Sequence, residues 1–162
     1  MHRVVDPSFN PIFATMGTVA IKIVNKSSNP LPGYATTGSS GMDIRADISS
    51  PLTIRPMERQ LIPTGVHVEI PPGYEIQVRP RSGLAIRQGL TCLNSPGTID
   101  ADYRGEIKIV LINLSTDNQV IHPGDRIAQL VLQEVQRAEW DVVSELLMTE
   151  RNEGGFGHTG KH

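Results

Sequence analysis

Short stretches of strict alternation between apolar and polar residues recur along this chain, and each predicts a strand with one buried face. In 66–70, Val66, Val68 and Ile70 fall on one side, with His67 and Glu69 on the other. In 74–78, Tyr74, Ile76 and Val78 oppose Glu75 and Gln77, and the intervening Pro71-Pro72-Gly73 predicts the turn of a hairpin. Residues 18–24 alternate in the same way, with Val19, Ile21 and Ile23 set against Ala20 and Lys22. The segment 106–113 begins two-faced and becomes apolar on both sides from Ile109 to Ile112. Such a strand is buried on both faces, and in a small β-fold the second face suits contact with another subunit.

Helical signals are sparse. Residues 82–89, Ser-Gly-Leu-Ala-Ile-Arg-Gln-Gly, predict one short helix, with Ser82 as its N-cap and Gly89 as its stop. Residues 136–148 fit a helix by composition, while Trp140 followed by Val142-Val143 fits a strand equally well.

Composition supports many short strands. The 162 residues suffice for one domain, long enough to bury roughly 70% of its unfolded surface. Fifteen glycines and twelve prolines, spread along the whole length, leave little room for long helices. Residues 1–17, with Pro7, Pro11 and Gly17, predict an N-terminal extension. Residues 18–148 predict the β-domain, and 149–162 a glycine-rich C-terminal tail.

The net charge of −2 and the scattered basic residues argue against a nucleic-acid groove or an anionic membrane surface, and suit a small anionic ligand. Cys92 is the one cysteine, so no internal disulfide is expected, and its apolar flanks predict a buried structural thiol. No apolar run approaches the roughly 20 residues of a membrane span, and no leader pattern opens the chain. A soluble, reducing compartment such as the cytoplasm is expected.

Five segments are too polar and glycine-rich for their apolar flanks: 41–46, 80–85, 94–106, 124–130 and 151–160. In the second, a helix start beside Arg81 offers backbone N–H groups and a guanidinium fork to phosphate, although a plain capped turn reads the same way. In the third, Asn94 carries donor and acceptor on one amide, as reading a nucleobase edge requires, and Gly97 lets backbone approach that base. Asp100 and Tyr103 follow in an apparent β-hairpin with Gly105 at its far end. A carboxylate there could activate water and the ring could lie under a sugar, or the segment could be a surface turn. In the fourth, Asp125 and Arg126 read as a structural ion pair, while Gln129 could reach a ligand. The fifth is either a disordered end or a lid, with Arg151 on phosphates and Phe156 over a base; it lacks the Gly-Lys-Ser/Thr ending of a P-loop.

Arg-Ser-Gly-Leu-Ala (81–85), Ile-Asp-Ala-Asp-Tyr-Arg-Gly (99–105), Gly-Asp-Arg-Ile-Ala-Gln (124–129) and Gly-Gly-Phe-Gly (154–157), in this order, resemble motifs of the trimeric dUTP pyrophosphatases. The resemblance runs from about residue 18 to 160. It implies an all-β, jelly-roll-like barrel (the dUTPase-like β-clip) with one short helix and a flexible tail. It also implies a homotrimer with shared active sites, and hydrolysis of dUTP to dUMP and pyrophosphate with Mg²⁺. Asp100 would be the general base. Tyr103 would pack under the deoxyribose, and Asn94 with the backbone near Gly97 and Ile99 would read uracil. Arg81, Ser82, Gly83 and Gln129 would hold phosphates, Arg151 would meet the γ-phosphate, and Phe156 with Gly157 would close over the base. Asp43 would act near the metal, through water or by orienting its neighbours. In this family too Asp125 and Arg126 would be structural.

Two substitutions and the extension depart from the family pattern. His158 stands where that family usually has serine, so a γ-phosphate contact there is either lost or made by an imidazole. Ser40 replaces a usual alanine, and the extension has no counterpart role. The alternatives are a dCTP deaminase-like enzyme of the same fold, which would need a different acid–base residue near the base, and a non-catalytic regulatory binding module.

Overall fold

The structure, a computed structural model, describes residues 17–155. Within them the chain folds as twelve strands and one helix, all strand pairs antiparallel. The strands are β1 (Lys22–Asn25), β2 (Gly33–Tyr34), β3 (Met42–Arg45), β4 (Leu52–Ile54), β5 (Arg59–Pro63) and β6 (Val66–Glu69). After them come β7 (Tyr74–Arg79), α1 (Ser82–Gln88), β8 (Leu90–Cys92), β9 (Gly97–Ile99), β10 (Lys108–Asn113), β11 (Gln119–Ile121) and β12 (Arg126–Glu134). They form a five-stranded sheet, β2-β3-β12-β7-β9, a three-stranded sheet, β5-β10-β8, and the pairs β1-β6 and β4-β11. The short strands are what the alternation predicts, and the all-β, jelly-roll-like class is the one the resemblance implies.

The core is made almost wholly of branched aliphatic side chains. Ile44, Ile54, Ile62, Ile76, Ile109 and Leu130 are among the fully buried residues, drawn from every major strand. Such side chains fit a pleated surface and leave no polar atom to satisfy. Thr64 and Asn113 are the buried polar residues among those described, and Asn113 pins a loop. Buried on β10, it donates to the carbonyls of Ile54 and Asp117 and accepts from the N–H and hydroxyl of Ser115. Cys92 is buried as expected, and burial pushes its thiol up to about 11.

Face assignments from the alternation hold at β6 and β7, where Val66, Val68, Ile76 and Val78 are buried. Pairing departs from expectation. β6 and β7 are not a hairpin: β6 pairs with β1, and β7 with β12 and β9. The Pro71–Gly73 turn exists, but Val135 donates to the Gly73 carbonyl and ties that turn to the end of β12. The strand expected at 18–24 is later and shorter, at 22–25, with Ile23 and Val24 exposed. In β10, Ile109 and Leu111 face the core; on the other side Val110 lies opposite the exposed Leu61, leaving an apolar outer face.

The helix stops as expected, at Gly89 in the left-handed conformation (φ 64°). Its N-cap is Arg81, not Ser82. The Arg81 carbonyl accepts the first helical bonds from Leu84 and Ala85, and its extended backbone places Ser82 inside the first turn. Residues 136–148 form neither helix nor strand; Trp140 and Leu147 are 88% and 95% exposed. No helix among the described residues is long and apolar enough to cross a membrane.

Candidate active site

The five polar segments divide into two clusters. The first is a cavity of about 310 Å³ lined by Asn94, Gly97, Ile99, Asp100, Tyr103 and Glu106, with Val78 and Leu61 on its apolar side. β9 supplies one wall. It pairs with β7, so Gly97 lies opposite Val78 and Ile99 opposite Ile76, both anchored in the core. A side chain at 97 would crowd the Asn94 amide nitrogen at 3.0 Å and the Val78 Cβ at 3.3 Å, so glycine keeps this wall open. Asp100, exposed at the end of β9, accepts the Tyr103 N–H at its carbonyl and starts a turn. The hairpin expected here does not form, because β9 belongs to the five-stranded sheet and β10 to the three-stranded one. Residues 100–107 instead bridge the two sheets, and Asp100 and Tyr103 project from that bridge into the cavity.

The second cluster sits where β3, β12 and the start of α1 meet. Asp43 on β3 bonds Arg81 Nε at 2.9 Å through one carboxylate oxygen and Arg126 Nη1 at 3.0 Å through the other. Arg81 Nη1 also donates to the Arg126 carbonyl at 3.2 Å. The register places Gln129 opposite Asp43 on one side and Arg79 on the other. Two guanidiniums share one carboxylate, so the cluster keeps an excess positive charge suited to a polyanion. Asp43 is only 12% exposed, while Arg126 is 47% exposed and free to present its outer nitrogens.

This arrangement corrects the reading of Arg126. It is paired with Asp43, 83 residues away, and not with Asp125. Asp125 instead accepts the His122 N–H at 2.8 Å and shapes the turn before β12. Nothing local marks Arg126 as a site residue; only the pairing of β12 with β3 reveals it.

The two clusters remain separate within one chain. Among the described residues, the cavity lining includes none of Arg81, Ser82, Gly83 or Gln129. Arg151 donates to the Gly154 carbonyl at 2.7 Å, inside a local turn closed by reciprocal Thr149–Asn152 bonds. Phe156, Gly157 and His158 lie outside the described residues. No three His, Cys, Asp or Glu side chains among the described residues converge as a metal site.

Residues 27–160 match the family model for dUTPase. The chain belongs to the dUTPase family. It is 58% identical over 140 residues to the deoxyuridine 5'-triphosphate nucleotidohydrolase of Finegoldia magna, covering 86% of this chain and 98% of that one. It is 62% identical over 130 residues to the enzyme of the same name from Desulfotalea psychrophila, covering 80% and 87% respectively. The fold also superposes on the dUTPase of Staphylococcus bacteriophage 80alpha solved with dUPNHPP, with a TM-score of 0.74 and 26% identity, covering 88% of this chain and 99% of that one. The cavity on β9 and the arginine cluster therefore lie in a fold whose relatives act on a deoxyuridine triphosphate.

Proposed function

We propose that this chain hydrolyses dUTP to dUMP and pyrophosphate. One observation carries the reading: a base-sized cavity bearing Asn94, Gly97, Asp100 and Tyr103, in a chain that also builds a cationic cluster from Arg81 and Arg126. The Asn94 amide and the backbone of β9 bond the edge of uracil, in a cavity whose apolar side includes Val78 and which rejects the methyl of thymine by size. Tyr103 packs under the deoxyribose and excludes a 2′-hydroxyl. The Asp100 carboxylate accepts a proton from water as that oxygen bonds the α-phosphorus, and the bond to the bridging oxygen breaks to release pyrophosphate. Arg81, Ser82, Gly83 and Gln129 hold phosphate oxygens, and Arg126 joins them. The physiological result is little uracil in DNA and a supply of dUMP for thymidylate synthesis.

Mg²⁺ fits as a passenger of the substrate. Both Asp43 oxygens are engaged by guanidiniums, and Mg²⁺ binds phosphate oxygens and water readily without a protein cage. Bound there, it would neutralise phosphate charge and hold one conformer. Asp43 acts first by orienting its two arginines, and any role it has toward the metal would be indirect, through water.

The working unit is a homotrimer whose sites combine the cavity of one copy with the cationic cluster of another. Its support is the separation of the two clusters, the apolar outer face of β10, and two further apolar surfaces that no other described residue covers. One is the arm 135–148; the other is a groove of about 690 Å³ lined by Ile21, Ile23, Leu31, Tyr34 and Met42. Residues 18–148 form the domain, and 149–162 close over a site. The trimer predicts constant mass over a wide dilution range in light scattering, and an active monomer would contradict it.

Product analysis tests the reaction. Purified protein with Mg²⁺ is given dUTP, dCTP, dTTP and UTP separately, and products are resolved by ion exchange. dUMP and pyrophosphate from dUTP alone are expected. dUTP formed from dCTP would mean deamination, and no turnover of any substrate would mean a binding module.

A further inference from the structure

Tyr103 lacks the core packing that would fix its ring: the residue is 43% exposed, and it projects from a bridge that belongs to no strand. Two local features hold the ring. Its hydroxyl donates to the Glu106 carbonyl at 2.9 Å, and the ring lies so close over Gly105 that any Cβ there would overlap it. The direction of the ring is therefore set by where the Glu106 backbone sits.

That position is fixed by Glu106's own side chain. One carboxylate oxygen accepts two successive backbone N–H groups from the turn between β5 and β6, Thr64 at 3.0 Å and Gly65 at 2.9 Å. Lys108 stands 3.5 Å from the other oxygen. The turn is itself rigid. Gly65 has φ +68°, and a Cβ there would lie 2.7 Å from Ser27. The buried Thr64 hydroxyl donates to the Ile107 carbonyl, and the Ile107 N–H donates to the Val66 carbonyl at 2.8 Å. Glu106 thus links a turn seated on the core to the carbonyl that holds Tyr103, and it lines the same cavity.

We propose that Glu106 is a specificity-determining positioning residue, whose carboxylate clamps the 64–65 turn and so holds Tyr103 where it excludes a ribonucleotide. This rests on the assignment of Tyr103 as the wall under the sugar. Without the clamp, the 103–106 segment is held to the rest of the fold only by the contact of the Arg104 carbonyl with His67 Nδ1 at 3.2 Å and by the bonds of the adjoining Ile107; the Glu106 carbonyl shifts, the ring tilts with it, and the cavity admits a 2′-hydroxyl.

The test measures kcat and KM for dUTP and UTP with Mg²⁺ in four variants, each with its melting temperature. Glu106→Ala is expected to lower the preference for dUTP over UTP by about 10-fold, mainly through a lower KM for UTP, since a misplaced wall discriminates poorly. Glu106→Gln keeps an oxygen for both N–H groups and is expected to restore the preference. Tyr103→Phe removes the hydroxyl bond and is expected to lower the preference in the same direction. The double variant Tyr103→Phe with Glu106→Ala is expected to add little further, because both act on one interaction. Equal loss on both nucleotides in Glu106→Ala, or fully additive effects in the double variant, would overturn the proposal. Should Glu106→Ala fail to fold, Tyr103→Phe decides: an unchanged preference rejects the linkage. Failure of the underlying reading looks different, because Tyr103→Ala would then leave the preference for dUTP over UTP unchanged.

Discussion

The cavity on β9 and the arginine cluster on β3 and β12 are built from different materials, and the function proposed for them sets each a different recognition problem. The cavity is bounded by backbone, by Gly97 packed against Val78, and by one ring tied to a main-chain carbonyl. The cluster is bounded by charged side chains that hold one another through Asp43. A base and a sugar differ from their competitors by single small groups, so discrimination needs walls that do not yield. A triphosphate is a spread of negative charge, and guanidiniums already oriented by a shared carboxylate meet it with donors in place. Variants of the cavity should therefore change which nucleotide is used, and variants of the cluster should change how tightly any triphosphate is held.

The strongest break comes from removing the tail proposed to close the site. Deletion of 151–162 is expected to abolish turnover with little change in melting temperature, read by product formation and calorimetry; a large fall in melting temperature would make the tail part of the fold. Next, Asp100→Asn should keep nucleotide binding and assembly while losing on the order of 10²–10⁴-fold in kcat, the usual worth of a general base. Near-normal turnover would remove Asp100 from that role.

The comparison itself is sharpened by two milder changes. Tyr103→Ala should admit UTP, lowering the dUTP preference by about 10–100-fold in kcat/KM, with binding of pyrophosphate unaltered. Asp43→Ala should do the opposite. It leaves two guanidiniums without their shared carboxylate, raises KM for dUTP by about 10-fold, and costs on the order of 1–3 kcal/mol of stability, since the pairing is only partly buried. The choice between dUTP and UTP should stay the same, and a changed choice would mean that the two regions are not independent.

The smallest effect is on pH. Partial burial pushes the Glu106 carboxyl up, but the Gly65 and Thr64 N–H groups and Lys108 outweigh it, and the group ends below its ordinary 4.5. A carboxyl lowered on folding contributes stability above that ordinary value and loses it as pH falls through the folded one. Melting temperatures from pH 7 to pH 3 should fall less steeply in Glu106→Gln than in wild type. Parallel curves would remove Glu106 from the acid response.

Much of this was legible along the chain because side-chain alternation and turn chemistry are local. Val66, Val68, Ile76 and Val78 face inward as their period requires, Gly89 stops the helix, and Asn94, Gly97, Asp100 and Tyr103 share one cavity as the third motif suggested. Strand partners were not legible. Two prolines and a glycine between β6 and β7 look like a hairpin turn, yet each strand finds its neighbours elsewhere, since which edge a strand meets depends on competition among all edges. Arg126 shows the same limit at the site. Its neighbour Asp125 was the nearest carboxylate in sequence, and the closure of β12 against β3 brought Asp43 to it instead. Glu106 lay inside a recognised motif with no visible task, because its partners are the N–H groups of a turn about forty residues earlier. Periodicity and motif order settle which faces are buried and which residue types do chemistry, because both are written in neighbouring positions. Which charge meets which, and what holds a ring in place, depend on contacts between distant segments that only the packed chain creates.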